Sequence, residues 1–214
     1  MYIPRHFSED DLDTLQTLME QHNFAALVTQ HEGQLFASHL PFMLDRQRGA
    51  YGTLIAHVAK ANPQWQSLEG QEALVIFQGP HAYVSPSWYE AAPANVPTWN
   101  YAVAHAYGMP RIVESYDEMR AMLERLVREH ETPFEHPWPL DWTETQDRMM
   151  GGTVGLEIEI TRLEGKFKLS QNRKPEDHAR VMEGLAMREN TLDQATAALM
   201  QEQKARAEAP EQGT

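Results

Sequence analysis

The segment His57-Val58-Ala59-Lys60-Ala61-Asn62-Pro63-Gln64-Trp65 gathers residue types that can hold an anion. A strand ending near Val58 would run into Asn62, a good helix N-cap, and Pro63, suited to the first helical position. Free backbone N–H groups at a helix start attract phosphate, and Lys60 adds a positive charge beside them. The same spacing also describes an ordinary capped helix with a solvated lysine, and both readings stand at this point.

Four further segments carry potential chemistry. Phe77 to Tyr89 and Val96-Pro97-Thr98-Trp99-Asn100-Tyr101 set aromatic rings beside Ser, Thr and Asn between stiffening prolines. That mixture suits a flat heteroaromatic ring, packed on its faces and read at its edge. It equally suits a rigid loop at a subunit interface. Lys166-Phe167-Lys168-Leu169-Ser170-Gln171-Asn172-Arg173 offers ammonium and amide donors at a strand end, or simply a solvated turn. In His39-Leu40-Pro41-Phe42 the proline removes an N–H, which implies a sheet edge or a bulge.

Other chemistries lack their residues. There is no Cys, so disulfides, thiolate metal sites and a cysteine nucleophile are excluded. None of the 10 histidines pairs at His-x-x-x-His spacing, and no metal is expected. Walker, Rossmann and Gly-x-Ser-x-Gly signatures do not occur, and no residue stands out as catalytic. The formal net charge is -13 and the basic residues are scattered, so direct duplex-DNA binding is not expected. No apolar run is long enough to span a bilayer, and no basic segment followed by an apolar one marks a secretory signal. The expectation is a cytoplasmic protein.

These segments must be positioned by a core that 42% hydrophobic residues can build. Ser8 to His22 reads as a helix with Ser8 and Asp11 as a capping box. Phe24 to Gln30, Gln34 to Leu44 and Tyr51 to Val58 read as strands, with turns at Gly33 and at 45–49. Glu72 to Gln78 is a buried strand that Gly79-Pro80 breaks, and His81 to Ser85 continues extended. Asn100 to Val113 is a strand pair or one bent strand. Ser115 to Glu129 is a helix capped by Ser115. Thr153 to Arg162 alternates as a half-exposed strand. Short strands with helices in the connections give a mainly β fold with peripheral helices, a small antiparallel barrel. One domain over 1–190 is expected, with 191–214 a polar helix or disordered tail.

Taken together and in order, Met1-Tyr2-Ile3-Pro4 with Phe7, His39 to Phe42, His57 to Trp65, Gly79 to Tyr89, Val96 to Tyr101 and Lys168 to Asn172 resemble the successive motifs of the PaiB-type family of FMN-binding transcriptional regulators. The resemblance implies an FMN-binding split β-barrel of the pyridoxamine-phosphate-oxidase type. It implies a homodimer with FMN in clefts between subunits. By position, His57, Val58, Ala59, Lys60 and Asn62 would lie at the phosphate. His39, Leu40, Pro41 and Phe42 would run along the ring system. Trp99, Asn100, Tyr101, Lys168, Ser170, Gln171 and Asn172 would complete the cleft. The functional expectation is a flavin-dependent regulator or sensor acting indirectly on transcription. A flavin-dependent oxidoreductase and a haem-binding or haem-degrading split barrel are the alternatives.

Overall fold

A computed structural model describes residues 1–208. The strands are β1 (Ser8–Glu9), β2 (Phe24–His31), β3 (Gln34–Pro41), β4 (Met43–Asp45), β5 (Thr53–Ala59), β6 (Ala73–Val84), β7 (Thr98–Val113) and β8 (Thr153–Lys168). The helices are α1 (Leu12–Gln21), α2 (Tyr116–Glu131), α3 (Glu144–Met150), α4 (Pro175–Ala186) and α5 (Thr191–Glu208). The eight strands join in the order β3-β2-β6-β7-β8-β5-β4, with β1 pairing β8. By its contacts the chain divides into two units. Unit 1 is Met1–Asp11, Gln78–Ala104 and Glu164–Thr214, and unit 2 is Leu12–Phe77 with His105–Leu163.

Unit 2 begins with α1, which buries Leu15, Leu18 and Met19. The β2–β3 hairpin keeps register from Phe24↔Pro41 to His31↔Gln34. Its turn is Glu32 (φ 51) and Gly33 (φ 77), the paired left-handed geometry that matches strand twist. β5 runs antiparallel to β8, from Thr53↔Glu159 to Ala59↔Thr153. Against one face of β5 lies a methionine-rich core of Met43, Ile55, Val113, Met119, Met122 and Met150. Gly155 makes this approach possible: a Cβ there would lie 2.7 Å from Met122 Cε and 2.8 Å from Met119 Sδ. α2 starts where expected, with the Ser115 side chain accepting from the Glu118 N–H.

Unit 1 packs α4 and α5 together, burying Val181, Leu185, Ala197 and Met200. Gly184 admits the Trp88 ring, whose Cε2 would stand 2.7 Å from an added Cβ. Thr191–Glu208 is helical, and residues 209–214, part of the anticipated tail, lie outside the described residues.

Several elements differ from the sequence expectation, among them Gln34 to Leu44, which forms two strands, β3 and β4. The first helix starts at Leu12 because Ser8 and Glu9 form β1, paired to Lys166 and Gly165. Ser8 Oγ bonds Asp10 Oδ1 at 2.9 Å and caps nothing. Gly79-Pro80 does not break its strand, since β6 runs through to Val84. β2 pairs with β6 at Leu74, Val75 and Ile76, so Pro80 lies beyond that pairing and its missing N–H leaves no gap in it. Residues 98–113 form one continuous strand. α3 and α4 fall in stretches where the sequence reading assigned no element, although Thr143 with Gln146 forms a capping box and Pro175 opens α4.

Candidate functional site

The anticipated site residues fall into two sets. His39, Leu40, Pro41, Phe42, His57, Val58, Ala59, Lys60 and Asn62 belong to unit 2, and Trp99, Asn100, Tyr101, Lys168, Ser170, Gln171 and Asn172 to unit 1.

Within unit 2 one hydrogen bond joins the two segments: Asn62 Nδ2 donates to Ser38 Oγ at 2.8 Å. The Asn62 carbonyl oxygen accepts from the Gln64 N–H at 3.0 Å, which is the anticipated cap. The helix it caps is a five-residue 3-10 segment, Pro63–Ser67. A single tight turn has a small dipole, so attraction for an anion there falls mainly to Lys60. The Lys60 backbone is fixed on both sides, its N–H on Gly152 O at 2.8 Å and its carbonyl on Trp65 Nε1 at 2.9 Å. Its side chain is exposed.

His57 shares the β5 face of Ile55, because residues two apart in a strand point the same way. Burial lowers its pKa below the ordinary imidazole value, so the ring is neutral near pH 7. Its Nδ1 is buried without a hydrogen-bond partner. Val58 faces the opposite side and is part of the core. On the edge strand β3, His39 is exposed and stacks on Phe24 with centroids 6.4 Å apart. Pro41 ends that strand, the edge position its chemistry requires. Phe42 turns inward at 3% exposure and packs on Phe77.

In unit 1, alternation along β7 separates neighbours in sequence. Trp99 is 53% exposed, whereas Asn100 is fully buried. Asn100 Oδ1 accepts from Ser170 Oγ at 3.1 Å, and its Nδ2 points to Met200 Sδ at 3.4 Å. Ser170 has a positive φ of 66, which places the turn after β8. The Gln171 side chain bonds the backbone just before it, accepting from Leu169 N–H at 2.7 Å and donating to Phe167 O at 2.5 Å. Asn100, Ser170 and Gln171 therefore hold the turn. Trp99, Tyr101 and Lys168 are the members of this set with outward groups, along with exposed Asn172. The period of two in a strand could have separated Asn100 from Trp99 in advance.

The structure adds residues absent from the anticipated set. His81 and Tyr83 on β6 flank Trp99, with centroids 6.3 and 6.0 Å away. Lys166 Nζ lies 5.4 Å from the Tyr101 ring centre. Lys168, already in the anticipated set, donates through Nζ to Thr98 Oγ1 at 2.6 Å and to Trp99 O at 2.5 Å. Burial, and then the charges of Arg173 and Lys166, lower the Lys168 pKa below the usual lysine value. The signal was the Lys-x-Lys spacing, which puts both ammonium groups on one face of a strand.

Among the described residues no group of three or more His, Cys, Asp or Glu could hold a metal ion. No helix among them is long and apolar enough to cross a membrane. Each unit by itself carries groups that suit part of a flavin nucleotide: unit 2 has the exposed Lys60 ammonium and the neutral His57 imidazole with its unpartnered Nδ1, and unit 1 has the outward rings of Trp99 and Tyr101.

A mainly antiparallel sheet with helices in its connections, carrying these donors, defines a flavin split barrel. The chain belongs to the FMN-binding family whose model, described as "Putative FMN-binding domain", matches residues 1–162. FMN is the cofactor of that family, and the PaiB-type resemblance of the motifs is borne out. The chain is 34% identical over 205 residues to "Protease synthase and sporulation protein PAI 2" of Bacillus subtilis, covering 94% of this chain and 97% of that one. Solved structures share the fold at lower identity. The flavocytochrome Anf3 of Azotobacter vinelandii superposes with a TM-score of 0.57 at 14% identity, over 83% of this chain and 78% of that one. A FAD and heme binding protein of Mycobacterium smegmatis gives 0.56 at 18% identity, over 80% and 78%.

Proposed function

We propose that the protein is an FMN-dependent regulator or sensor that acts on transcription indirectly, as a cytoplasmic homodimer. The observation that carries this reading is the near end-to-end similarity to PAI 2, a protein named for protease synthesis and sporulation. The net charge of -13 favours an indirect route, because phosphate backbones are bound through clustered Lys and Arg.

When bound, FMN supplies reversible electron transfer, and the protein supplies position and electrostatics. The residues of unit 2 take the phosphate side. Lys60 presents an ammonium on a backbone held by Gly152 and Trp65. Asn62 fixes the turn against Ser38. His57 stays neutral and offers Nδ1 as a hydrogen-bond partner. His39 and Leu40 on the neighbouring edge strand offer a ring and an aliphatic surface. The outward rings of Trp99 and Tyr101 are the groups of unit 1 able to meet a flat ligand.

A test in cells uses a strain deleted for the gene and complemented with wild type or Lys60→Ala. Wild type should restore regulation, and a variant purified without flavin should not. Full regulation by a flavin-free variant would remove the sensor reading. An absorption spectrum of the purified protein addresses the haem alternative, which a Soret band would support. Substrate-dependent reoxidation of the reduced flavin would favour an oxidoreductase. Light scattering should give twice the chain mass, and a monomer at micromolar concentration would exclude the homodimer.

A further inference from the structure

We propose that a cavity beside α2 binds a free α-amino acid with an apolar side chain. The cavity measures about 380 Å³, a volume typical of small-molecule pockets, and lies entirely within unit 2. It exists because the segment after α2 returns along the helix and is pinned to it at two points. The Trp138 N–H donates to Glu131 Oε2 at 2.6 Å, and Trp142 Nε1 donates to Glu124 Oε1 at 2.6 Å. Trp142 also packs on the methionine-rich core, which anchors the far end of the segment. Pro133, Pro137 and Pro139 stiffen the stretch, so it bridges its anchors instead of collapsing onto the helix. None of the lining residues belongs to the set assigned to FMN.

The first support is an unpaired guanidinium. Helical spacing puts Glu124, Arg128 and Glu131 on one face of α2, and all three line the cavity. Separations of four and three residues would let Arg128 pair with either glutamate. Among the described residues, however, no carboxylate lies within 4.0 Å of Arg128 and its side chain makes no hydrogen bond. Both glutamates are drawn elsewhere. Glu124 meets Arg120 at 3.3 Å as well as the Trp142 indole, and Glu131 holds the Trp138 backbone. The Arg128 fork is left open, and its planar geometry matches a carboxylate. Each glutamate keeps lone pairs beyond those already used, so both still accept.

The arrangement of charge selects the ligand class. A simple anion would meet Arg128 but also the two carboxylates that flank it along the helix. A simple amine would meet the carboxylates and face an uncompensated guanidinium. A zwitterion answers both, with its carboxylate on Arg128 and its ammonium on the glutamates. The rest of the wall is apolar: Val127, Leu140 and Trp138, the last 51% exposed. An apolar side chain would cover this surface, and an aromatic one would also pack against the indole. The class is therefore an α-amino acid such as phenylalanine, not glycine. The inference rests on unit 2 alone and does not depend on the regulatory reading.

The experiment is calorimetric titration of the full-length, flavin-loaded protein near pH 7. The probes are L-phenylalanine, 2-phenylethylamine (which lacks the carboxylate), 3-phenylpropanoate (which lacks the ammonium) and glycine. L-phenylalanine should bind at least about tenfold more tightly than any of the other three. Arg128→Gln should weaken L-phenylalanine about tenfold and leave 2-phenylethylamine no weaker than before. No binding of L-phenylalanine to the wild type, or equal affinity for it and either singly charged analogue, overturns the proposal without relying on any variant. Unchanged L-phenylalanine affinity in Arg128→Gln overturns it by placing the carboxylate elsewhere. Release of the flavin by L-phenylalanine overturns it by making the cavity part of the flavin's own site.

Discussion

The two ends of β8 treat charge in opposite ways. Near its start Glu157 receives Arg48 through two hydrogen bonds at 2.8 and 2.7 Å and Arg111 through one at 2.8 Å. The Glu157 carboxyl titrates at about 2, held down first by Arg48 and then by Arg111 against the opposing effect of burial. Near the end of the strand, Lys166 and Lys168 lie among rings and carbonyls, and among the described residues no carboxylate meets them. The first arrangement ties the β4–β5 turn, β7 and β8 into one structural clasp. The second leaves a charge that the fold does not use. In one strand, position alone decides whether a charge holds the protein together or stays available to something else.

The clasp belongs to a tightly built region, and the largest expected effect tests that. A Cβ on Gly108 would stand 2.1 Å from the Glu159 carbonyl oxygen, which is backbone and cannot swing aside. Gly108→Ala should destabilise by roughly 3 kcal/mol or more, the upper range for overpacking. Urea unfolding measures it, and a cost under about 1 kcal/mol would show that β7 and β8 are looser than they look.

Glu157→Gln comes next. The two arginines are half exposed, at 47% and 53%, so screening discounts their contribution to about 1–2 kcal/mol. The carboxyl pKa is depressed in the folded state, so the stabilisation is complete above about 4.5 and is lost as pH falls through about 2. The gap between wild type and variant should accordingly be constant near neutrality and close between those pH values. A gap that persists at pH 2 would mean that shape, not charge, holds the clasp.

Much of this was legible in the sequence because it rests on local rules. The Ser115 cap, the Gly33 turn, the Asn62 cap and the edge position of Pro41 each follow from one or two residues. What was hidden depends on partners distant in sequence. Nothing near Ser8 announces that residue 166 will claim it as a strand. Asn100 reads as a ligand group until Ser170 and Met200 are seen to occupy it. The short run after Asn62 has helical signals, yet buried Gln64, bonded to Thr29 Oγ1 at 2.9 Å, fixes it as a single turn.

That shorter helix sharpens the expectation for Lys60. Without a helix dipole behind it, the ammonium acts nearly alone on a phosphate. Lys60→Ala should weaken FMN about tenfold, the worth of one charge-assisted contact at its lower end. Riboflavin, which lacks the phosphate, should bind both proteins alike. Equal FMN affinities would detach Lys60 from the phosphate, and parallel losses for both flavins would indicate damage to the fold.

The smallest effect is the most telling for the contrast along β8. Lys166 makes one backbone hydrogen bond, to the Tyr2 carbonyl, and lies 5.6 Å from the Tyr2 ring centre as well as beside Tyr101. In Lys166→Gln the amide can keep the hydrogen bond. The lost cation–π attraction at a solvated site is about 0.5–1 kcal/mol, and relief of repulsion on Lys168 offsets part of it. The net change in unfolding free energy should stay within about 0.5 kcal/mol, the range of ordinary surface substitutions. The Lys168 ammonium, followed by NMR, should titrate at higher pH once the neighbouring charge is gone. A loss of 2 kcal/mol or so would show Lys166 to be structural in the way Glu157 is. The two ends of β8 would then differ only in the partner chosen, and no unused charge would remain for a ligand to meet.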